Sequence, residues 1–237
     1  REGFLAASKA FPDVAHVLVE GFEEDKGPNT EIVIDMSHEL GYVEGLIAGK
    51  LSKTKTVGWV IGMEVPDIIL WSMGGYHGLK AADPNIKRLY TVVGAFEDPA
   101  RGKEATLAMI EAGADVIVEC GDGTSFGVVE AVKAYNIPLL SYWGGSKTFE
   151  GSKAAELGPE FIVTGAFCDW GPAYVNCAKY FEEGKFGYRG QYPSFANGML
   201  TLVLNPKYEP EFGAMADEMI SKIKKGEIAV PRAAPTA

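Results

Sequence analysis

Histidine and cysteine are scarce, three of each in 237 residues. His16, His38 and His77 are far apart, and Cys120, Cys168 and Cys177 form no CxxC pair. Structural zinc sites need clustered thiolates and imidazoles, so no metal is expected. No apolar run approaches the roughly 20 residues that cross a bilayer, and no signal-peptide pattern opens the chain. GxSxG, GxGxxG and Walker A sequences are absent, and no nucleophile, base and orienter stand together, so neither catalysis nor a nucleotide-phosphate loop is expected. Cations are outnumbered: 22 Lys and Arg against 32 Asp and Glu leave a net charge of −10. Such a surface repels phosphate backbones, which argues against a nucleic-acid partner. The densest basic cluster, Lys222, Lys224 and Lys225, fits a solvated helix C-terminus. Cys120 ends an apolar run and reads as a small buried hydrophobe, whereas Cys168 and Cys177 can pair only in an oxidising compartment, which spacing leaves open.

What is present is a core-forming composition, 47% hydrophobic and 23% charged. It suits one large domain or two lobes of roughly 100–150 residues. Apolar runs of strand length occur at 16–20, 31–35, 57–61, 89–94, 116–120, 139–143 and 161–166. Helical patterns lie at 42–51, 67–82, 100–112, 125–135, 172–183 and 211–225. The strand runs are continuous rather than alternating, as in parallel strands covered on both faces. Their βαβα order predicts a doubly wound α/β architecture. Gly113 and Gly184 fit the position just past a helix end, and Pro172 fits a helix start. Residues 192–204 carry two short extended pieces around Asn197-Gly198, which suits a hairpin or two sheet-crossing strands. Position 1 is not Met and falls within a helical pattern, so a processed or truncated chain is expected.

Ligands of parallel α/β sheets bind beyond the carboxyl ends of the strands. The segments there are rich in glycine and carry single aromatic or short polar residues: Gly62-Met63, Phe96, Asp122 and Thr124, Trp143, and Asp169-Trp170. Phe96, Trp143 and Trp170 offer stacking faces for a flat heteroaromatic ring, or alternatively plug the sheet ends. Asp122 accepts hydrogen bonds from ligand hydroxyl or ring N–H groups, or binds its own turn. Thr124 is a candidate helix N-cap.

Taken in order, these segments resemble a known family. Residues 41–49 (GYVEGLIAG), 57–66 (VGWVIGMEVP), 82–85 (ADPN), 94–104 (GAFEDPARGKE) and 113–117 (GADVI) are similar to the basic membrane protein family of ABC-transporter solute-binding lipoproteins. The likeness extends from about Phe11 to Pro231. It implies a type I periplasmic-binding-protein-like fold: two Rossmann-like lobes with parallel sheets, joined by a hinge. Lobe one would comprise 1–36 and 166–190, and lobe two 37–165 and 191–237. Lobe one looks N-terminally incomplete, because the family opens with a further strand–helix–strand–helix portion.

The resemblance further implies an extracytoplasmic, periplasmic or lipid-anchored receptor. Such a receptor is a monomer without cofactor that delivers a purine nucleoside or base to a membrane ABC permease. Phe96 falls on the family's base-stacking aromatic, and Gly62 and Met63 on its base-facing loop. Two positions depart from the pattern. Trp143 stands where the family has an aspartate for ribose, and Cys168 where it has a lysine. The run Asp169-Trp170-Gly171-Pro172 resembles the nucleobase-binding subgroup, which points to a ribose-free ring. A ligand-sensing regulatory module of the same fold, or a receptor for a non-purine solute, is the alternative.

Overall fold

The structure, a computed structural model, describes residues 1–142, 146–151, 153–187 and 189–232. It contains two sheets. The smaller pairs β1 (His16–Val19) with β2 (Thr30–Val33) in parallel, beside α1 (Glu2–Ala10). The larger has six strands: β3 (Thr56–Ile61), β4 (Lys87–Val92), β5 (Val116–Cys120), β6 (Leu139–Ser141), β7 (Ile162–Cys168) and β8 (Leu200–Leu204). Their spatial order is β4-β3-β5-β6-β7-β8. Every pairing in it is parallel except β7 with β8, so the expected parallel sheet ends in one antiparallel strand.

The continuous apolar runs are explained by helices on both faces of the large sheet. Val57, Trp59 and Ile61 of β3 and Val116, Val118 and Cys120 of β5 point into one core. That core also takes residues of α2 (Ser37–Leu51), α3 (Pro66–Ala82) and α8 (Glu209–Lys224). Val60 and Ile117, one residue out of phase, enter the opposite core with residues of α4 (Pro99–Glu111) and α5 (Ser125–Tyr135). Successive strand residues face opposite sides, so a strand covered twice must be apolar throughout.

Helices α2 and α3 approach through glycines. A Cβ on Gly45 would lie 2.2 Å from the carbonyl oxygen of Gly75, and one on Gly41 2.0 Å from that of Trp71. Gly113 and Gly184 follow α4 and α7 (Gly171–Glu182) with φ of +97° and +65°, the left-handed geometry that suits glycine.

Within the described residues, the chain passes between the sheets three times. Residues 34–36 lead from β2 to α2, and Asp169-Trp170 from β7 to α7. Residues 192–199 then lead to β8. No hairpin forms there: Gln191 makes a single parallel bridge to Val33, and only Leu200–Leu204 is a strand. The first and third crossings run side by side, with Ile34 N donating to Gln191 O and Met36 N to Pro193 O at 2.9 and 2.7 Å. Val33, Ala173 and Cys177 form the core that joins α7 to the small sheet. All three cysteines are free thiols, so Cys168 and Cys177 are not paired.

Candidate functional site

The carboxyl ends of the two sheets face one another. Tyr142, directly after β6, donates its hydroxyl to Asp35 Oδ2 at 2.6 Å, and Asp35 lies two residues beyond β2. Glu20, directly after β1, sits beside that strand end, with its N–H on Val33 O at 2.8 Å and φ of +58°. The large sheet contributes Gly62 after β3, Phe96 after β4, Asp122 after β5, Tyr142 after β6 and Cys168 at the end of β7.

Gly62 and Phe96 are brought together. A Cβ on Gly62 would lie 2.7 Å from Phe96 Cδ1, so the absence of a side chain lets the half-buried ring lie across the β3 end. Met63 is exposed beside them. Asp122 is exposed with φ of +47°. Thr124 occupies the expected N-cap position of α5 but makes no side-chain cap bond. Its buried hydroxyl instead donates to Ala95 O at 2.9 Å and accepts from Asp98 N at 3.0 Å, tying the β5 loop to the β4 loop. Asp169 is engaged locally: it pairs with Lys147 at 3.0 Å and accepts from Gly171 N at 3.3 Å at the start of α7. Trp170 is half-buried against the α7 core. Trp143 lies outside the described residues.

Behind these loops stand buried acids. Glu119 on β5 accepts hydrogen bonds from Ser125 at the start of α5 and Ser141 at the end of β6. Burial pushes its carboxyl up to about 7 against those two donors. Glu44 on α2 accepts from Trp71 Nε1 at 2.6 Å and Thr164 Oγ1 at 2.8 Å, and burial pushes it up to about 8. Burial likewise pushes Asp35 up to about 6, against the Tyr142 hydrogen bond and with Glu20 adding to it. Asp67, at the start of α3, is pushed up to about 8 by burial and then by Glu20 and Asp35. Glu20 stays open to solvent, with its carboxyl raised by partial desolvation and by Asp122. The Cys168 thiol is pushed far up, by burial first and Asp35 second, so it stays protonated and offers no charge.

Sequence reasoning placed the ligand on the large-sheet loops and passed over Glu20, Asp35, Asp67 and Tyr142. The available signal was an acid at the end of two apolar runs, HVLVE and EIVID.

These features define a two-sheet α/β protein whose strand carboxyl ends are opposed and joined by the Tyr142–Asp35 hydrogen bond. Residues 2–194 match the family described as ABC transporter substrate-binding protein, PnrA-like, and the chain belongs to that family. Over 225 residues it is 24% identical to a purine-binding protein of Brucella abortus, covering 94% of this chain and 61% of that protein. A solved ABC transporter solute-binding protein from Conexibacter woesei is similar with a TM-score of 0.67 at 27% identity, covering 98% of this chain and 76% of that one. A solved transcriptional activator of the comK gene from Bacillus halodurans is similar with a TM-score of 0.76 at 25% identity, covering 96% and 76%. The chain thus spans about three fifths of the Brucella protein's length. Among the described residues, no helix is long and apolar enough to cross a membrane.

Proposed function

We propose that this chain is the ligand-binding part of an extracytoplasmic solute receptor that serves an ABC permease, without catalytic activity of its own. The observation that carries this reading is the Tyr142–Asp35 hydrogen bond, which joins the carboxyl ends of β6 and β2 and so supports a ligand site between the two sheets. The lobe boundaries are placed at the three crossings, 34–36, 169–170 and 192–199, which act as the hinge, so residues 166–168 stay with β7 in the larger lobe rather than in lobe one. A flat, purine-like ring is the proposed ligand. Phe96 supplies the stacking face, Gly62 and Met63 the neighbouring loop, and Asp122 an acceptor at the cleft. Trp170, Asp169 and Thr124 position the surrounding loops. The naming of the Brucella relative as purine-binding supports the ligand class. The receptor acts as a monomer, is held at the membrane by a lipid anchor, and needs no cofactor.

Isothermal titration with adenine, hypoxanthine, adenosine and guanosine tests the ligand. Tight binding of a free base is the expected result, and binding of nucleosides with the bases ignored would refute the ribose-free reading. Small-angle scattering tests the clamp: saturating ligand compacts the protein, and an unchanged radius of gyration overturns hinge closure. A ligand-sensing regulatory module is the second reading, favoured by the similarity to the Bacillus halodurans activator. Capture by membranes containing the cognate permease separates the two.

A further inference from the structure

After α8 the chain returns to the hinge. Glu227 N and Ile228 N turn back to donate to Lys222 O, and Val230 is buried in the large core. Two residues on, Arg232 stands at the first crossing, where its Nη2 donates to Met36 Sδ at 2.9 Å. It lines a cavity of about 250 Å³ together with Phe22 and Glu23 of the β1–β2 loop, Ile34 of the first crossing, and Pro66 and Ile69 of α3. A residue anchored through Val230 on the large core thus borders the small sheet's loop, a crossing and α3 at once. Two acids lie within reach of its charge, one on each side of the hinge, and each also holds the third crossing. Glu23 accepts from the Tyr192 hydroxyl at 3.0 Å and pairs with Lys26 at 2.6 Å. Glu39, in the first turn of α2, accepts from Phe195 N at 3.0 Å. Partial burial opposes the charge on Glu23, while Lys26, Tyr192 and Arg232 together hold its carboxyl below the usual range. Burial raises the Glu39 carboxyl, and the Phe195 N–H and Arg232 work against it. His38, next in the chain, is pushed down to about 4 by burial and by Arg232, so it stays neutral and supplies no competing cation.

We infer that the segment from Ile228 to Arg232 is a strap across the hinge, in which the Arg232 guanidinium couples Glu23 of the small sheet's loop to Glu39 of α2 and so limits how far the two lobes separate. The main-chain crossings fix where the lobes turn; the strap adds to the energy of turning. A guanidinium has five donors in a fixed fork, enough to serve both acids, and a thioether is a weak acceptor that holds it only loosely beside Met36. Arg232 and Glu23 are exposed, so their attraction is modest and weakened by salt, which suits a link that must yield each time the hinge opens. Lys26 also neutralises Glu23 and reaches the Tyr192 hydroxyl at 3.3 Å, but it belongs to the same loop as Glu23. Arg232 brings its charge from a segment packed on the large core. The inference rests on the hinge reading and is independent of which ligand is bound.

Amide hydrogen exchange of the ligand-free full chain, read residue by residue by NMR, tests the strap. The reporters are the Ile34 and Met36 amides, whose bonds to Gln191 O and Pro193 O hold the first and third crossings together. Arg232→Ala is expected to speed their exchange about two- to fivefold, while amides of the central strand β5 stay as slow as before and show that the variant is folded. Arg232→Lys, which keeps the charge, is expected to restore most of the protection. Glu23→Gln is expected to speed the same amides, and the double variant to exchange more slowly than the product of the two single effects, because both changes remove one shared interaction. Salt at about 1 M is expected to bring the natural protein toward Arg232→Ala and to leave that variant little changed. Unchanged exchange of Ile34 and Met36 in Arg232→Ala, or strictly multiplicative effects in the double variant, overturns the inference. Scattering with saturating adenine reads the hinge separately. Compaction on ligand with unchanged exchange in Arg232→Ala keeps the hinge and removes the strap. Faster exchange without compaction keeps the strap and removes ligand-driven closure.

Discussion

Glu44→Gln tests the electrostatics of the large lobe. Glu44 is fully buried between α2, α3 and β7, and its carboxyl oxygens accept from Trp71 and Thr164. Burial raises its carboxyl from 4.5 to about 8, with Glu119 adding to the shift. The folded protein therefore holds a proton that the unfolded chain releases above pH 4.5. Stability from this group is complete below pH 4.5, falls through the interval, and is gone above about pH 8. At 1.36 kcal/mol for each unit, the loss is on the order of 4–5 kcal/mol across the window. Glutamine has the same shape and cannot ionise. Its carbonyl can accept from Trp71 Nε1, and its amide can donate to the Thr164 hydroxyl, which turns to accept. The variant is therefore expected to match the natural protein within about 1 kcal/mol at pH 5. At pH 9 it is expected to be the more stable by roughly 3–5 kcal/mol. Urea unfolding followed by tryptophan fluorescence at pH 5, 7 and 9 measures this, since Trp59 and Trp71 are fully buried. A stability difference that is the same at all three pH values refutes the reasoning.

Three further outcomes follow from the geometry. Gly45→Ala places a methyl against the Gly75 carbonyl, forces α2 and α3 apart, and is expected to cost about 1–3 kcal/mol in thermal or urea unfolding. On the proposed stacking role, Phe96→Ala lowers ligand affinity by roughly 1–3 kcal/mol in titration calorimetry, and the loss of its packing against the large core lowers the melting midpoint as well. Lys147→Met breaks an ion pair whose partners are 58% and 33% exposed, and stability changes by less than about 1 kcal/mol.

Much of the scaffold is legible along the chain because strand burial leaves a composition signal. A strand with helices on both faces has no polar side to show, and Val57–Ile61 and Val116–Cys120 read as unbroken apolar runs. The helices announce their ends through Gly113, Gly184 and Pro172, since positive φ and a missing N–H are local properties. The Phe96 and Gly62 segments were visible for the same local reason: both follow a strand end. The segment before β8 was harder. Residues 192–197 look extended in sequence, yet they bridge two sheets rather than pair with a neighbour, and pairing partners are not encoded in local pattern. Thr124 shows the same limit. It stands where an N-cap belongs, but its hydroxyl serves the adjacent β4 loop, a contact made by tertiary proximity.

The order of apolar runs, glycines and strand-end aromatics determined the parallel α/β class and the family. These are one-dimensional properties, set by which residues tolerate burial or a turn. Only the tertiary structure decided that Glu20 and Asp35, at the ends of two short strands, come near Tyr142 and Asp122 at the ends of the large sheet and Asp67 at the start of α3. The Asp35–Tyr142 hydrogen bond joins partners separated by 107 positions. Folding brings them together because the carboxyl ends of both sheets meet there. The strand-end positions of Gly62 and Phe96 could be read from the chain, whereas the meeting of Asp35 with Tyr142 belongs to the fold.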